Sequence, residues 1–167
     1  LALRQPMADD LRAVIVALKT AAVIERIGDF AKNIAKRTQA LSQCPDLGAA
    51  KTIKRMAGMA QNMMTDVLDA YVTRDADKAD EVRLRDEELD SLYTSLFREL
   101  LTYMMENPKN ITASTHLMFA AKNIERIGDH ATNIAENVHF LVHGQMPEEP
   151  RPKGDGSVYM TDPTADV

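Results

Sequence analysis

Cysteine, aromatic residues, proline and glycine are all scarce in this chain, and each scarcity removes a class of structure. The single cysteine, Cys44, forms no internal disulfide, which excludes a disulfide-stapled domain and fits a reducing cytoplasm. Aromatics make up 5% of the 167 residues and no stretch alternates apolar with polar, so strands are not expected. Excess positive charge is missing too. The net charge of -5 argues against a nucleic-acid binder, which would present a basic face. No apolar run approaches the roughly 18 residues that cross a bilayer, so membrane association would go through a partner and not by direct insertion. The opening Leu1-Ala2-Leu3-Arg4 carries neither a signal peptide nor an initiator methionine, and reads as the start of a fragment or a processed chain.

Proline and glycine become frequent only from Gly144 onwards. Before that point the chain reads as four long amphipathic helices. The first runs from after Pro6 to about Ser42, with apolar residues at Leu11, Val14, Ile15, Leu18, Ala22, Ile27, Ala31, Ile34 and Leu41. Cys44-Pro45-Asp46 breaks it, with Asp46 as a candidate N-cap for the next. The second spans about 47–73 on Ile53, Met56, Met63, Met64, Val67, Leu68 and Tyr71. The third spans about 77–106 on Val82, Leu89, Leu92, Leu96, Leu100 and Met104, and Asn107-Pro108 ends it. The fourth, about 111–142, uses Ile111, Leu117, Met118, Ala121, Ile124, Ile127, Ala131, Ile134, Val138 and Leu141 before Gly144 stops it. Long helices with short connections predict an antiparallel bundle. The ten methionines read as adaptable core filler.

The first and fourth helices share a motif. Ala21-Ala22-Val23-Ile24-Glu25-Arg26-Ile27-Gly28-Asp29-Phe30-Ala31-Lys32-Asn33-Ile34-Ala35 returns 100 residues later as Ala121-Lys122-Asn123-Ile124-Glu125-Arg126-Ile127-Gly128-Asp129-His130-Ala131-Thr132-Asn133-Ile134-Ala135. Glu-Arg-Ile-Gly-Asp is identical in both, which points to internal duplication. The period implies a repeated unit of three helices ending in the motif. The chain then divides into the third helix of an incomplete first repeat (1–44), a complete second repeat (45–143) and a disordered tail (144–167). The fold class is all-α: an antiparallel three-helix bundle plus one long helix left from a preceding, incomplete one.

Glu25, Asp29 and Asn33 are four residues apart and line one helical face, as do Glu125, Asp129 and Asn133. Two carboxylates one turn apart can share a cation, and oxygen donors favour Mg, Mn, Ca or Fe, with Zn also accessible. A second helix must supply further ligands. Asp86 and Asp90, again four apart, are the candidates to face Glu125 and Asp129. The competing reading is plain: acidic residues on helices are usually solvated or paired with neighbours such as Arg26 and Arg126, and such surface pairs contribute little. Gly28 and Gly128, each inside a helix at a cost of about 1 kcal/mol relative to alanine, point to a close backbone approach or to room made beside a site.

Enzymatic readings find no support. Di-iron bundles use Glu-x-x-His, but here glycine stands three residues after each motif glutamate. Nucleophile-and-base spacings, phosphate loops and dinucleotide glycine motifs are missing. The four histidines read as structural or exposed, with His130 off the carboxylate row and no metal spacing shared among His116, His139 and His143.

On these residues the sequence resembles the PhoU family, whose repeated signature is Glu-Arg-Ile-Gly-Asp followed by Asn. Glu25 to Asn33 and Glu125 to Asn133 match it closely, and Ala2-Leu3-Arg4-Gln5-Pro6 with Asp10-Leu11-Arg12 resembles the junction before the third helix. The resemblance covers about residues 1–143. It implies two similar three-helix bundles, multinuclear metal clusters on the acidic motifs with Asp86 and Asp90 matching the neighbouring pair, and a cytoplasmic homo-oligomer. It also implies repression of the phosphate-starvation response and of phosphate uptake, through contacts with a sensor histidine kinase and the ATPase of the phosphate ABC transporter. Against the family pattern, two helices of the first repeat are missing, so the partners of Glu25 and Asp29 are absent. One face of the first helix is thereby uncovered and is expected to pack on another copy or to be domain-swapped. A metal-free helical interaction bundle is the alternative function.

Overall fold

The computed structural model describes residues 8–147, and the prolines, glycines and charges read as a disordered tail lie mostly outside these described residues. Four α-helices follow in chain order: α1 (Ala8–Leu41), α2 (Ala50–Thr73), α3 (Ala76–Glu106) and α4 (Ile111–His143), with a 3-10 turn at Pro108–Asn110 before the last. Among the described residues there is no strand. Helices α2, α3 and α4 pack on one another as a three-helix bundle, and α1 makes its extensive contacts with α4 alone.

Heptad spacing explains the bundle. On α3 the buried positions Ala79, Val82, Asp86, Leu89, Tyr93, Leu96 and Leu100 alternate steps of three and four. On α4 Leu117, Ala121, Ile124, Gly128, Ala131, Ala135 and Val138 do the same, and on α2 Met56, Ala60, Met63, Val67 and Ala70 form the third stripe. Met56, Met63, Leu89, Leu96, Leu100, Ile124 and Ile134 are fully buried, each worth about 1.5–3 kcal/mol of apolar burial. Two of the ten methionines are thus core filler outright, while Met105 stands 84% exposed.

The turns are chemically explicit. Helix α2 ends with Arg74 in the left-handed region (φ 55), and the next residue, Asp75, caps α3 by accepting from the Lys78 backbone N–H at 2.9 Å. Asn107 accepts from Lys109 N–H at 3.0 Å to start the 3-10 turn. Gly144, at φ 76, closes α4 through a bond to the Phe140 carbonyl. Asp46 does not cap α2. Its Oδ1 accepts from Gly48 N–H at 2.9 Å, folding the loop as a local turn, and α2 starts at Ala49–Ala50 without a side-chain cap.

Helix α1 departs from expectation in its N-terminal half. Leu11, Val14, Ile15 and Leu18 face outward. The face on α4 is instead Val16, Thr20, Val23, Ile27, Phe30, Ile34 and Leu41, all buried or half-buried. Helix α1 is apolar on two flanks, so its periodicity alone did not select the one that α4 covers.

Helices α1 and α4 run antiparallel. The Arg12 side chain lies against Gly144, Lys19 sits 6.0 Å from the Phe140 ring, and at the other end Arg37 stacks 4.2 Å over Phe119. These pairs are arranged symmetrically about Phe30 and His130, which occupy the same place in the two motif copies and contact each other. The duplicated helices therefore pack about a centre at the motif itself.

Candidate functional site

The second motif copy folds into the interior of the bundle. Asp86 takes a heptad position on α3 that an apolar residue would normally fill, and is fully buried. Opposite it on α4 is Gly128. A Cβ there would lie 3.0 Å from Asp86 Oδ1 and 2.5 Å from Leu89 Cδ2, so only glycine lets α3 come this close with an aspartate between. Ion pairs on the far flank hold α3 against α2: Arg85 to Asp66 at 2.7 Å and Arg55 to Glu88 at 2.8 Å.

Glu125 is 7% exposed. Burial pushes its carboxyl above the ordinary carboxylate range. The Lys122 ammonium opposes this through a 2.6 Å hydrogen bond to Oε1, and the negative charges of Asp129 and Asp90 push it further up. Its second oxygen, Oε2, is buried without a hydrogen-bond partner. Asp90 and Asp129 are half-buried. Asp86 and Asp90 on α3 thus stand across the α3–α4 seam from Glu125 and Asp129 on α4. Asn133 is exposed.

The first copy folds differently. Glu25, Asp29 and Asn33 are all exposed, and among the described residues no second helix covers them. Gly28 has open space where a Cβ would go. The atoms that meet Gly128 belong to the Leu89 and Asp86 side chains rather than to a backbone, and nothing meets Gly28, so the glycine makes room for neighbouring side chains in the second copy only.

The buried carboxylates suit a hard or borderline cation in donor chemistry, and the partnerless Glu125 Oε2 is an oxygen that such an ion would satisfy. Yet among the described residues no three His, Cys, Asp or Glu side chains converge as a ready ligand set. The cation actually seated on Glu125 is Lys122, whose Nζ also lies 5.0 Å from the Tyr93 ring of α3. Sequence reasoning passed over Lys122, although it stands three residues before Glu125, where the first copy has Ala22. It also passed over the spacing of four between His139 and His143, whose rings lie 4.5 Å apart with Nδ1 of His139 at 3.1 Å from the Gln145 carbonyl. His130 is half-buried against Phe30.

Comparison with known proteins places this geometry. The PhoU domain matches residues 1–38 and 53–138. A phosphate-specific transport system accessory protein PhoU homolog from Rhizobium meliloti (strain 1021) is 53% identical over 157 residues, covering 93% of this chain and 66% of the relative. Its counterpart from Caulobacter vibrioides (strain NA1000 / CB15N) is 53% identical over 156 residues, covering 93% and 68%. The chain thus spans about two thirds of the length of these curated relatives. The crystal structure of PhoU from Pseudomonas aeruginosa superimposes with a TM-score of 0.82 at 40% identity, over 86% of this chain and 69% of that one. The phosphate transport system regulatory protein PhoU from Streptococcus pneumoniae gives 0.78 at 28% identity, over 88% and 70%. These names describe accessory and regulatory proteins, not enzymes. A motif duplicated at a spacing of 100 residues, a three-helix bundle with the extra helix laid antiparallel on it, and a domain match over most of the length lead to one conclusion: the chain belongs to the PhoU family.

Proposed function

We propose that this chain acts as a regulatory accessory protein of phosphate transport and that its α3–α4 seam takes up a metal ion. The observation that carries the metal reading is the burial of Asp86 and Glu125 around Gly128. Four carboxylates at one seam cost folding energy that a bound cation offsets. Asp86, Asp90, Glu125 and Asp129 are the residues that would hold it. When bound, the ion would supply charge neutralisation and cross-link α3 to α4. The chain's own residues do the rest: Gly128 sets the helix separation, and Leu89 and Ile124 exclude water beside it. Elemental analysis of protein purified without chelator tests this. Asp129→Ala lowers the bound metal, and unchanged metal content rejects the assignment.

The regulatory role extends what the relatives' names describe to this chain. It places the protein in the cytoplasm, where it represses the phosphate-starvation response by contacting a sensor histidine kinase and the phosphate transporter's ATPase. No described helix is long and apolar enough to cross a membrane, which accords with action through such partners. A phosphate-starvation reporter in cells lacking their own PhoU measures it: expression of the chain lowers the reporter, and an unchanged reporter counts against the role. The outward residues Leu11, Val14, Ile15, Leu18 and Ile24 of α1 support assembly with a second copy, which light scattering reads directly. A monodisperse monomer argues against it.

A second reading has its own observation. Glu25, Asp29 and Asn33 are exposed on α1 and suit a basic partner surface better than a buried ion. In that reading the acidic rows work without metal, and protein free of metal as purified would favour it.

A further inference from the structure

We propose that Lys122 is a tethered counter-cation that occupies the acidic seam in the metal-free protein and competes with metal for Glu125. This rests on the metal reading above and adds to it the element that sets how readily the seam fills.

The geometry is specific. Lys122 Nζ donates to Glu125 Oε1 at 2.6 Å and lies 5.0 Å from the ring of Tyr93, one turn beyond Asp90 on α3. The ammonium therefore spans both helices of the seam from its rim. Its side chain is 25% exposed while that of Glu125 is 9% exposed, so the lysine is the more solvent-accessible member of the pair. A divalent ion ligated by the same carboxylate would sit within a few ångströms of a fixed positive charge, and like charges at that distance in a partly desolvated site repel strongly. Binding then requires the ammonium to leave. The flexible four-carbon stem and the open rim permit that.

The duplication supplies an internal control. The motif is repeated with Glu, Arg, Ile, Gly and Asp unchanged, yet the position of Lys122 is Ala22 in the first copy. There Glu25 is exposed and water screens its charge. Where the glutamate is buried, a lysine stands one turn before it. The lysine follows the burial of the acid rather than the motif. A charged hydrogen bond of this kind, made only in the metal-free state, lowers the apparent metal affinity by about tenfold to a hundredfold.

The test uses the full chain stripped with chelator and titrated with Mn²⁺ alone by calorimetry, alongside thermal unfolding in chelator. Lys122→Met is expected to bind Mn²⁺ at least about tenfold more tightly than wild type and to unfold at a lower temperature without metal. Lys122→Arg, which keeps the charge, should retain affinity near that of wild type. Lys122→Gln carries the same test if the methionine variant does not fold. Wild-type binding with equal or weaker binding in the neutral variants overturns the role of Lys122 and leaves the metal reading intact. No binding in wild type or in either neutral variant overturns both.

Discussion

Phe30 and His130 occupy the same position in the two copies of the duplicated motif, and they meet edge to face with ring centroids 5.2 Å apart. In an antiparallel pair such as α1 and α4, equivalent residues touch only at the shared centre of the crossing, so this contact marks it. That centre fixes the fate of the neighbouring acids. On α4 it turns Glu125 toward α3; on α1 the corresponding Glu25 is turned to the side where no described helix lies. One sequence motif thus has a buried form and an exposed form in the same chain, which provides internal controls.

The two glycines should respond oppositely to alanine. Gly28→Ala meets no atom within 4 Å and gains up to about 1 kcal/mol of helix propensity, so denaturant midpoints should rise. Gly128→Ala drives a methyl into Leu89 and Asp86, and overpacking of about 1–3 kcal/mol should outweigh the same gain. Equal responses would remove the argument that Gly128 sets the α3–α4 separation.

Leu89 is the other half of that contact and is fully buried. Leu89→Ala should cost about 2–5 kcal/mol, whereas Leu84→Ala on the same helix, 63% exposed, should stay within about 0.5 kcal/mol. A double-mutant cycle adds a sharper check: Gly128→Ala should be less damaging in the Leu89→Ala background, because the cavity accepts the methyl. Strict additivity would mean that the two sites do not share space.

The α2–α3 turn offers a stabilising change beside a destabilising one. Arg74 holds a left-handed conformation that costs about 1 kcal/mol without glycine, so Arg74→Gly should raise the melting temperature by a few degrees. The adjacent Asp75→Ala removes a helix cap and should cost about 1 kcal/mol.

Glu125 gives a pH signature in chelator-treated protein. Its folded pKa is raised above the ordinary 4.5 by burial, so the native state holds the proton more tightly than the unfolded state. Below 4.5 the group is protonated in both states and carries no penalty. As pH rises through that value towards the folded pKa, stability is lost, and the loss then levels off. Glu125→Gln removes this dependence, so its melting temperature relative to wild type should climb as pH rises above about 4.5 and then level off. A difference constant with pH would contradict the assignment.

The helices were legible because the steps of three and four persist for many turns and stop at Pro45, Asn107-Pro108 and Gly144. The α3–α4 acid pairing was legible from duplication plus spacing. Asp86 even announces itself, as a carboxylate standing in a heptad seam. Less could be read where several solutions satisfy the same pattern. Helix α1 carries apolar residues on two flanks, and only docking on α4 chooses between Leu18 outside and Val16 inside. The glycines look alike in sequence, yet only Gly128 faces a neighbouring helix. Asp46 was a reasonable cap by residue type, but its side chain is satisfied two residues on, at Gly48.

Because α1 makes its extensive contacts with α4 alone, the chain's stability is layered. Amide hydrogen exchange should release α1 before the heptad-packed trio, since fewer buried contacts hold it down. The flank of α4 that α1 covers is not the flank that meets α3. An opening that peels α1 away can therefore leave the carboxylates and their lysine undisturbed, and the protein can expose a new helical surface without surrendering its charge centre.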